Sequence, residues 1–249
     1  WEPIYSYTRD MELYEIHTDV MEVDVSDKAD YKGYYKKVWE YAQPVEGHTW
    51  ELKPEYHFVY LLTHIAKHIR GSGAGIRMYM DIAFFIKHFQ DTIDWNFVEN
   101  ELEKIKLKDF ANTVLTLVEK WFCVKSPIVL REIDEQILDD FMDFTLEGGI
   151  FGHCNREQGV VTLKQEVDGE ENVSRASTLL RRTFPKAETL EKRYTYLQGR
   201  HWLLPIAWID RFIRTRSTFV KHMNEAKEIM SVEEQKVLRL KRIYNEIGL

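Results

Sequence analysis

The feature that most constrains this fold is a glycine-rich turn between two segments with helical periodicity. Residues 54–70 place apolar side chains along one helix face, and Pro54 is well suited to the first helical position. Three glycines occur between residues 71 and 75, and a second apolar stripe follows over about residues 76–90. The sequence therefore predicts two helices joined by a tight turn.

Ionisable side chains surround this turn, and packing alone would not require them. They are His64, Lys67, His68, Arg70, Arg77 and Asp81. Two interpretations of the turn stay open: a helix end that uses glycine for positive φ, or a turn whose backbone N–H groups meet an anionic ligand. Arg77 and Asp81 lie one helical turn apart, so they are expected to form a partly buried ion pair that fixes the loop.

Three histidines, His57, His64 and His68, recur at helical spacing, and the last two share one face. Such a pair could hold a metal ion. The metalloprotease motif, however, needs a glutamate directly after its first histidine, and Ile65 occupies that position. Hydrogen-bonded polar histidines are therefore favoured over a metal site.

The composition is that of an ordinary globular protein and excludes several classes. The 249 residues carry a net charge of −7, which argues against a dedicated nucleic-acid-binding protein. No apolar run approaches the roughly 20 residues of a membrane span, and no signal peptide is evident. The two cysteines, Cys123 and Cys154, lack metal-binding spacing, so buried free thiols in a cytoplasmic protein are expected.

The pattern of the whole chain predicts an α+β fold that is predominantly α-helical. A β-rich part, residues 1–53, would precede a helical domain, residues 54–146, and a long loop with C-terminal helices, residues 147–249. Two short strands are expected before residue 25, then a short helix, a loop around Pro44 and an extended piece at residues 49–52.

Signals for the later elements are mostly local. Asp94 and Asp109 each precede an apolar stripe and are expected to cap helices, and residues 131–146 form a further amphipathic helix. The polar stretch 153–174 is expected to be a mobile excursion, with its centre disordered. Additional helices are expected at residues 174–183, 186–195 and 204–223. In the last of these, a core helix with a basic face is favoured over a helix lying at a membrane surface.

Four short motifs follow one another along the chain: Tyr14-Glu15-Ile16-His17, Leu61 to His68, Gly73-Ala74-Gly75-Ile76-Arg77 with Asp81, and Ile93-Asp94-Trp95. Taken in this order, they resemble the motifs of a bacterial family of uncharacterised nucleotidyltransferases. Residues 148–152, 184–185 and 202–211 are similar to that family's C-terminal half. The resemblance runs from about residue 11 to about residue 215.

The resemblance implies a polymerase-β-like enzyme that transfers a nucleotidyl group from an NTP to an acceptor, with Mg²⁺ held by carboxylates. Glu15 would be the metal-binding carboxylate on a strand, with His17 beside it as a second catalytic residue. The nucleotide or acceptor side would be formed by His64, Lys67, His68, Gly73, Gly75, Arg77 and Asp81. The acceptor and the oligomeric state are undefined.

One part of the family pattern does not occur ahead of Glu15. Such enzymes take two further carboxylates from an Asp-x-Asp strand after a Gly-Ser turn, and residues 1–14 contain neither. The expectation is therefore that this chain is inactive by itself, either as the C-terminal portion of a longer enzyme or as a diverged relative. The alternative function is a non-catalytic helical module that binds a nucleotide or another anion, or serves regulation.

Overall fold

A computed structural model of the protein describes residues 4–9, 12–17, 19–71, 73–150, 152, 183–191, 194–214 and 234–249; for residues 4–9, 12–15, 212, 214 and 234–238 it describes the backbone alone. These residues form a predominantly helical α+β structure, as predicted. The chain divides into two compact units, one of residues 1–155 and 243–249 and the other of residues 156–242. The predicted division at residues 53 and 146 stays a prediction.

The described strands form two separate antiparallel hairpins in the first unit. Strand β1 (Ile4–Arg9) pairs with β2 (Glu12–His17), and β3 (Ala42–Glu46) pairs with β4 (Thr49–Leu52). The sequence predicted all but β3, which was expected to be a loop because it contains Pro44. Proline lacks a ladder donor, but a two-stranded hairpin can place it where no donor is needed.

The helices of the first unit follow one another closely along the chain. They are α1 (Tyr31–Tyr35), a 3₁₀ turn (Val38–Tyr41), α2 (Pro54–Arg70), α3 (Ile76–Phe89), α4 (Trp95–Lys104), α5 (Lys108–Phe122) and α6 (Glu135–Glu147). Helix α2 packs against α3 and α4, and α3 packs against α5. The apolar stripe of α2, including Leu62, Ile65 and Ile69, is fully buried in this core, so the predicted periodicity is confirmed.

Helix ends show where local signals suffice and where they do not. The Asp94 carboxylate accepts hydrogen bonds from the N–H groups of Asn96 and Phe97, at 3.0 and 3.2 Å, and so caps α4 as predicted. The expected cap at Asp109 is wrong, because α5 begins at Lys108 with Leu107 as its N-cap, and Asp109 lies in the first turn and pairs with Arg131.

The expectation of buried thiols is also wrong for Cys123, while Cys154 lies outside the described residues. Cys123 is exposed and ends α5 in the left-handed conformation, with φ of +54°. A residue at the end of a helix commonly takes this conformation, and it turns the chain away from the helix. The thiol is therefore on the surface rather than in the core.

A buried carboxylate ties the segment before β3 to helix α4. Glu101 is almost fully buried. Its carboxylate accepts a hydrogen bond from Tyr34 Oη at 2.8 Å and forms an ion pair with Lys104. Burial raises the pKa of the Tyr34 hydroxyl, and the neighbouring Glu101 carboxylate raises it further. Tyr34 therefore stays protonated and can donate to Glu101 at any ordinary pH.

The second unit contains helix α7 (Ala187–Leu190), helix α8 (Leu204–Arg214) and the start of α9 (Glu234–Glu246). Leu190, Leu197 and Ala207 contribute to its small core. The expected core helix with a solvated basic face is corrected in part, since α8 also exposes apolar residues, namely Ile206, Ile209 and Ile213. The expectations for residues 153–182 and 215–223 lie outside the described residues. None of the described helices is long and apolar enough to cross a membrane.

The end of α9 belongs to the first unit. Tyr244 is buried there and donates a hydrogen bond from its hydroxyl to the carbonyl of Ile69, in the last turn of α2. Its ring also meets Phe144 of α6 edge to face, with centroids 6.1 Å apart. The C-terminal residues therefore complete the core around the end of α2.

The cap of α4 gives the first prediction. Replacing Asp94 with alanine should lower the free energy of unfolding by about 1 kcal/mol, because two N–H groups lose their acceptor. Urea denaturation followed by circular dichroism measures this. Asp91→Ala, in the turn just before the cap, is the matched control and should change stability by less than about 0.5 kcal/mol. Equal effects of the two substitutions would contradict the capping role.

Candidate functional site

The polar face of helix α2 forms the centre of the candidate site. Tyr60, His64, Lys67 and His68 recur at spacings of three and four residues, so the helical period places them on one side. All four side chains are half-buried, in contrast to the fully buried apolar stripe of the same helix. The ionisable residues singled out in the sequence are thus in contact with neighbours rather than dispersed in solvent.

Glu22 links the end of strand β2 to this face. Lys67 Nζ donates to Glu22 Oε2 at 2.6 Å, and His17 Nδ1 lies 2.6 Å from Glu22 Oε1. The Glu22 side chain is 9% exposed and that of Lys67 22% exposed. The carboxylate therefore joins two residues that are fifty positions apart, and both of these were predicted to belong to the site.

The charge on Glu22 is maintained by its two donors. Burial raises the pKa of its carboxyl, whereas the hydrogen bonds from Lys67 and His17 lower it, and the net pKa lies below the usual 4.5. Glu22 is therefore ionised at neutral pH and acts only as an acceptor, so His17 must donate its Nδ1 proton. Lys67 meets a carboxylate here, which reduces its availability for a phosphate.

Glu22 was not identified from the sequence. It lies in an acidic stretch, residues 19–27, that reads as solvated surface. The signal that could have identified it is the pair of apolar residues around it, Met21 and Val25, which are both buried. A carboxylate between two buried neighbours is drawn towards the interior and then needs a partner.

His64 and His68 form a direct pair one helical turn apart. Their Nε2 atoms lie 3.1 Å apart, so one nitrogen must carry the proton and the other must accept it. Burial lowers the pKa of His64 to about 4, and the nearby His68 and Lys67 lower it as well. His64 is thus neutral at neutral pH, and the ring of Tyr60 stacks on it at 5.5 Å.

The third histidine of the possible metal set is engaged elsewhere. His57 meets Phe85 edge to face, with ring centroids 5.2 Å apart, and burial lowers its pKa. Over the described ranges, no three His, Cys, Asp or Glu side chains are grouped so that they could hold a metal ion. The contact between His64 and His68 supports hydrogen-bonded histidines.

A pocket of about 320 Å³, here called the Arg77 pocket, opens beside the histidine pair. Its lining consists of Leu61, His64, Ile65, His68, Arg77, Met78, Asp81 and Ile150. The structure therefore brings four of the predicted site residues, His64, His68, Arg77 and Asp81, to one concave surface. The remaining lining is apolar, which is the usual make-up of a small-molecule site.

The expected role of Arg77 and Asp81 in fixing the loop is wrong. Both side chains are exposed rather than partly buried, and they form no ion pair with each other although both are described. At i,i+4 on α3, with Arg77 in its first turn, they instead lie at the rim of the pocket. A guanidinium and a carboxylate are thus both available to a ligand.

The glycine turn is held by close contact with a distant backbone segment. A Cβ on Gly75 would collide with the carbonyl oxygen of Ile150, and a Cβ on Gly152 would collide with the carbonyl oxygen of Gly73. The N–H of Gly73 donates to the carbonyl of His68 at 2.6 Å. Gly73 has φ of +105°, which glycine adopts without strain.

These contacts give Gly73 and Gly75 a packing role, and the ligand-binding role expected for them stays a prediction. Both residues are buried, and so is Ala74 between them. The N–H of Ile76, at the start of α3, donates to the carbonyl of Gly149 at 3.3 Å. The turn therefore serves packing and helix termination, which is the first of the two interpretations that the sequence left open.

Glu15 is placed only through its backbone. It lies in β2 opposite Ser6, and its side chain is outside the described residues. Its predicted roles as a catalytic carboxylate and a metal ligand therefore stay predictions. The side chain of His17, two residues later, is described. It is partly exposed and contacts the Glu22 carboxylate.

The order β hairpin, polar α2 face and Arg77 pocket can be compared with known families. Residues 3–123 match the model of a family described as Uncharacterised nucleotidyltransferase. This segment is a nucleotidyltransferase-family domain. The match covers just under half of the chain and includes every predicted site residue.

The match confirms the resemblance for this nucleotidyltransferase domain alone. The motifs at residues 148–152, 184–185 and 202–211 lie beyond it, so their assignment to the family stays a prediction, as does a bacterial origin. No curated protein and no solved structure matches the chain.

Titration of His64 gives a prediction for the dependence of stability on pH. Its native pKa of about 4 lies below the ordinary 6.5, so between these values the unfolded chain binds a proton that the native state does not. The free energy of unfolding should therefore fall as the pH is lowered through this interval. In His64→Gln this contribution should be absent, as urea denaturation at several pH values would show.

The matched control is His48→Gln, an exposed histidine in the turn between β3 and β4. It should keep the slope of the unmodified protein between pH 6.5 and 4. If His64→Gln kept that slope as well, the assignment of the pH dependence to the buried histidine would be wrong.

The glycine turn gives a third prediction. Gly75→Ala should lower the free energy of unfolding by about 1–3 kcal/mol, because the new methyl group collides with backbone that cannot move freely. Gly71→Ala is the control: its Cβ would lie 3.4 Å from the Lys67 carbonyl, at an ordinary negative φ. Thermal denaturation should separate the two variants clearly, and a tolerated Gly75→Ala would refute the packing role.

Proposed function

We propose that the nucleotidyltransferase domain binds an NTP and takes part in the transfer of its nucleotidyl group to an acceptor hydroxyl. The observation that carries this proposal is the family match of residues 3–123, a stretch that contributes every lining residue of the Arg77 pocket except Ile150. Family membership alone names a reaction class, and the pocket supplies a place where a ligand can meet charged groups.

Arg77 is the residue we propose for phosphate recognition. It is the one cationic side chain of the pocket that is charged at all ordinary pH values, and its guanidinium is exposed without an ion-pair partner among the described residues. Lys67 is less suited, because Glu22 neutralises it at 2.6 Å. An arginine fork can hold two phosphate oxygens at once.

Asp81 and the apolar lining suit the rest of such a ligand. The Asp81 carboxylate can accept hydrogen bonds from sugar hydroxyls or from a base, and His68 can exchange a hydrogen bond at the same rim. Leu61, Met78 and Ile150 offer an apolar wall for a planar base. A ligand with both an anionic and an aromatic part therefore fits better than inorganic phosphate.

The described residues do not fit a magnesium site. A divalent ion needs several oxygen ligands, no group of three candidate side chains is present in the described part, and the Glu22 carboxylate is engaged by Lys67 and His17. We propose Glu15 as the carboxylate that would hold Mg²⁺, on the strength of the resemblance alone, and assign no step to the metal. We expect the 249-residue chain to bind NTP without turning it over.

Binding titrations test this proposal. Isothermal titration calorimetry of the full chain with ATP and GTP should show saturable binding, and Arg77→Ala should weaken it by about tenfold, the contribution of a charge-assisted hydrogen bond. Lys87→Ala, an exposed cation farther along α3, is the matched control and should leave binding unchanged. The absence of NTP binding, or equal affinities for Arg77→Ala and the unmodified chain, would overturn the assignment.

A second candidate is a module that binds an anionic ligand without chemistry. The described residues favour this candidate because they form a pocket but no group of three metal-binding side chains. The same titration repeated with and without Mg²⁺ separates the candidates. A transferase domain should bind the magnesium nucleotide more tightly, whereas a simple anion module should be indifferent to the ion.

A further inference from the structure

A second concave surface of the first unit, here called the basic pocket, lies apart from the residues of the Arg77 pocket. It has a volume of about 540 Å³ and is lined by Lys28, Glu103, Lys106, Lys108, Asp109, Arg131 and Gly248. Four cationic side chains thus face two carboxylates, although the whole chain carries a net charge of −7. Such a local excess of positive charge attracts anions.

Three of the four cations at this pocket, Lys106, Lys108 and Arg131, are paired with carboxylates, and these pairs lie at the protein surface. Lys106 Nζ lies 3.6 Å from Glu103 Oε1, and both side chains are exposed. Lys108 Nζ lies 3.5 Å from Glu99 Oε1, and Glu99 does not line the pocket. Exposed pairs of this kind are weak and open readily. Lys28 forms no ion pair among the described residues.

The N-terminus of helix α5 opens into the same pocket. Its N-cap, Leu107, supplies no side-chain acceptor, and the first backbone hydrogen bond of the helix is donated by Ala111. The N–H groups of Lys108 and Asp109 therefore have no acceptor among the described residues. Uncapped N–H groups and the helix dipole together favour an anion. The carboxylate of Asp109 opposes this, but Arg131 pairs with it.

Backbone strain occurs at the edge of the pocket. Lys106 has φ of +54°, a left-handed conformation that is costly for a residue with a side chain. Glycine would suit this position better, yet a lysine stands here and lines the pocket. The strain therefore coincides with a side chain whose charge adds to the site.

We propose that the basic pocket binds the polyphosphate part of a small ligand, at a site separate from the Arg77 pocket. The uncapped N–H groups of α5 receive phosphate oxygens, and Lys28, Lys106 and Lys108 neutralise their charge. A volume of about 540 Å³ accommodates a chain of several phosphates, with or without a nucleoside attached. This proposal stands independently of the proposed transferase function.

Nuclear magnetic resonance titration of the full chain with tripolyphosphate tests the proposal, because the amide signals of Lys108 and Asp109 report directly on the site. Both signals should shift saturably, and added salt should weaken the binding. Lys106→Gly should raise the dissociation constant about fivefold, while the thermal midpoint stays equal or rises because the backbone strain is relieved. Lys28→Ala should weaken binding to a similar degree.

Two controls make the outcome decisive. Lys87→Ala should titrate like the unmodified chain at these amides, and Arg77→Ala should do so too, which separates this site from the Arg77 pocket. Similar affinities for tripolyphosphate and ATP at Lys108 and Asp109 would support recognition of the polyphosphate. Amide signals that do not shift, an unchanged affinity in Lys106→Gly, or binding of ATP alone would overturn the proposal.

Discussion

A half-enclosed carboxylate can keep its charge only where donors replace the water it has lost, and Glu22 meets that condition through Lys67 and His17. The requirement is geometric as well as electrostatic, because both donors must reach it at once. These contacts thereby fix the end of β2 and the polar face of α2 relative to each other. Removing either donor would leave a desolvated charge, so the three residues are expected to behave as one unit.

This unit determines which groups near the site carry charge. Lys67 is paired with Glu22, and His64 is kept unprotonated by its burial and by the nearby His68 and Lys67. His64 therefore offers a hydrogen bond but no charge at neutral pH. Arg77, beyond the glycine turn, is left as the permanent cation of the pocket, which is why phosphate recognition is assigned to it rather than to the lysine that the motif made more conspicuous.

Sequence reasoning succeeded where a feature depends on neighbouring residues. Pro54 began a helix and Asp94 capped one because each acts within a single turn of chain, and the apolar stripe of α2 is itself a local pattern. It failed for Glu22, whose partner Lys67 is forty-five residues away. It also failed for Asp109, which forms an ion pair with Arg131 instead of capping α5. These outcomes depend on contacts between residues far apart in the chain, and the periodicity of the sequence does not predict such contacts.

The glycine turn shows that one motif can have a structural role beside the binding role expected of it. Its three glycines resemble an anion-binding loop, but Gly75 and Gly152 are required because two backbone segments approach within the space of a methyl group. That contact nevertheless serves the site, since it fixes the start of α3 against Gly149, Ile150 and Gly152 and so sets where Arg77 stands relative to His68. Two backbone segments that pack this closely have few alternative arrangements. The turn thus contributes to ligand recognition through the rigid placement of a neighbouring side chain.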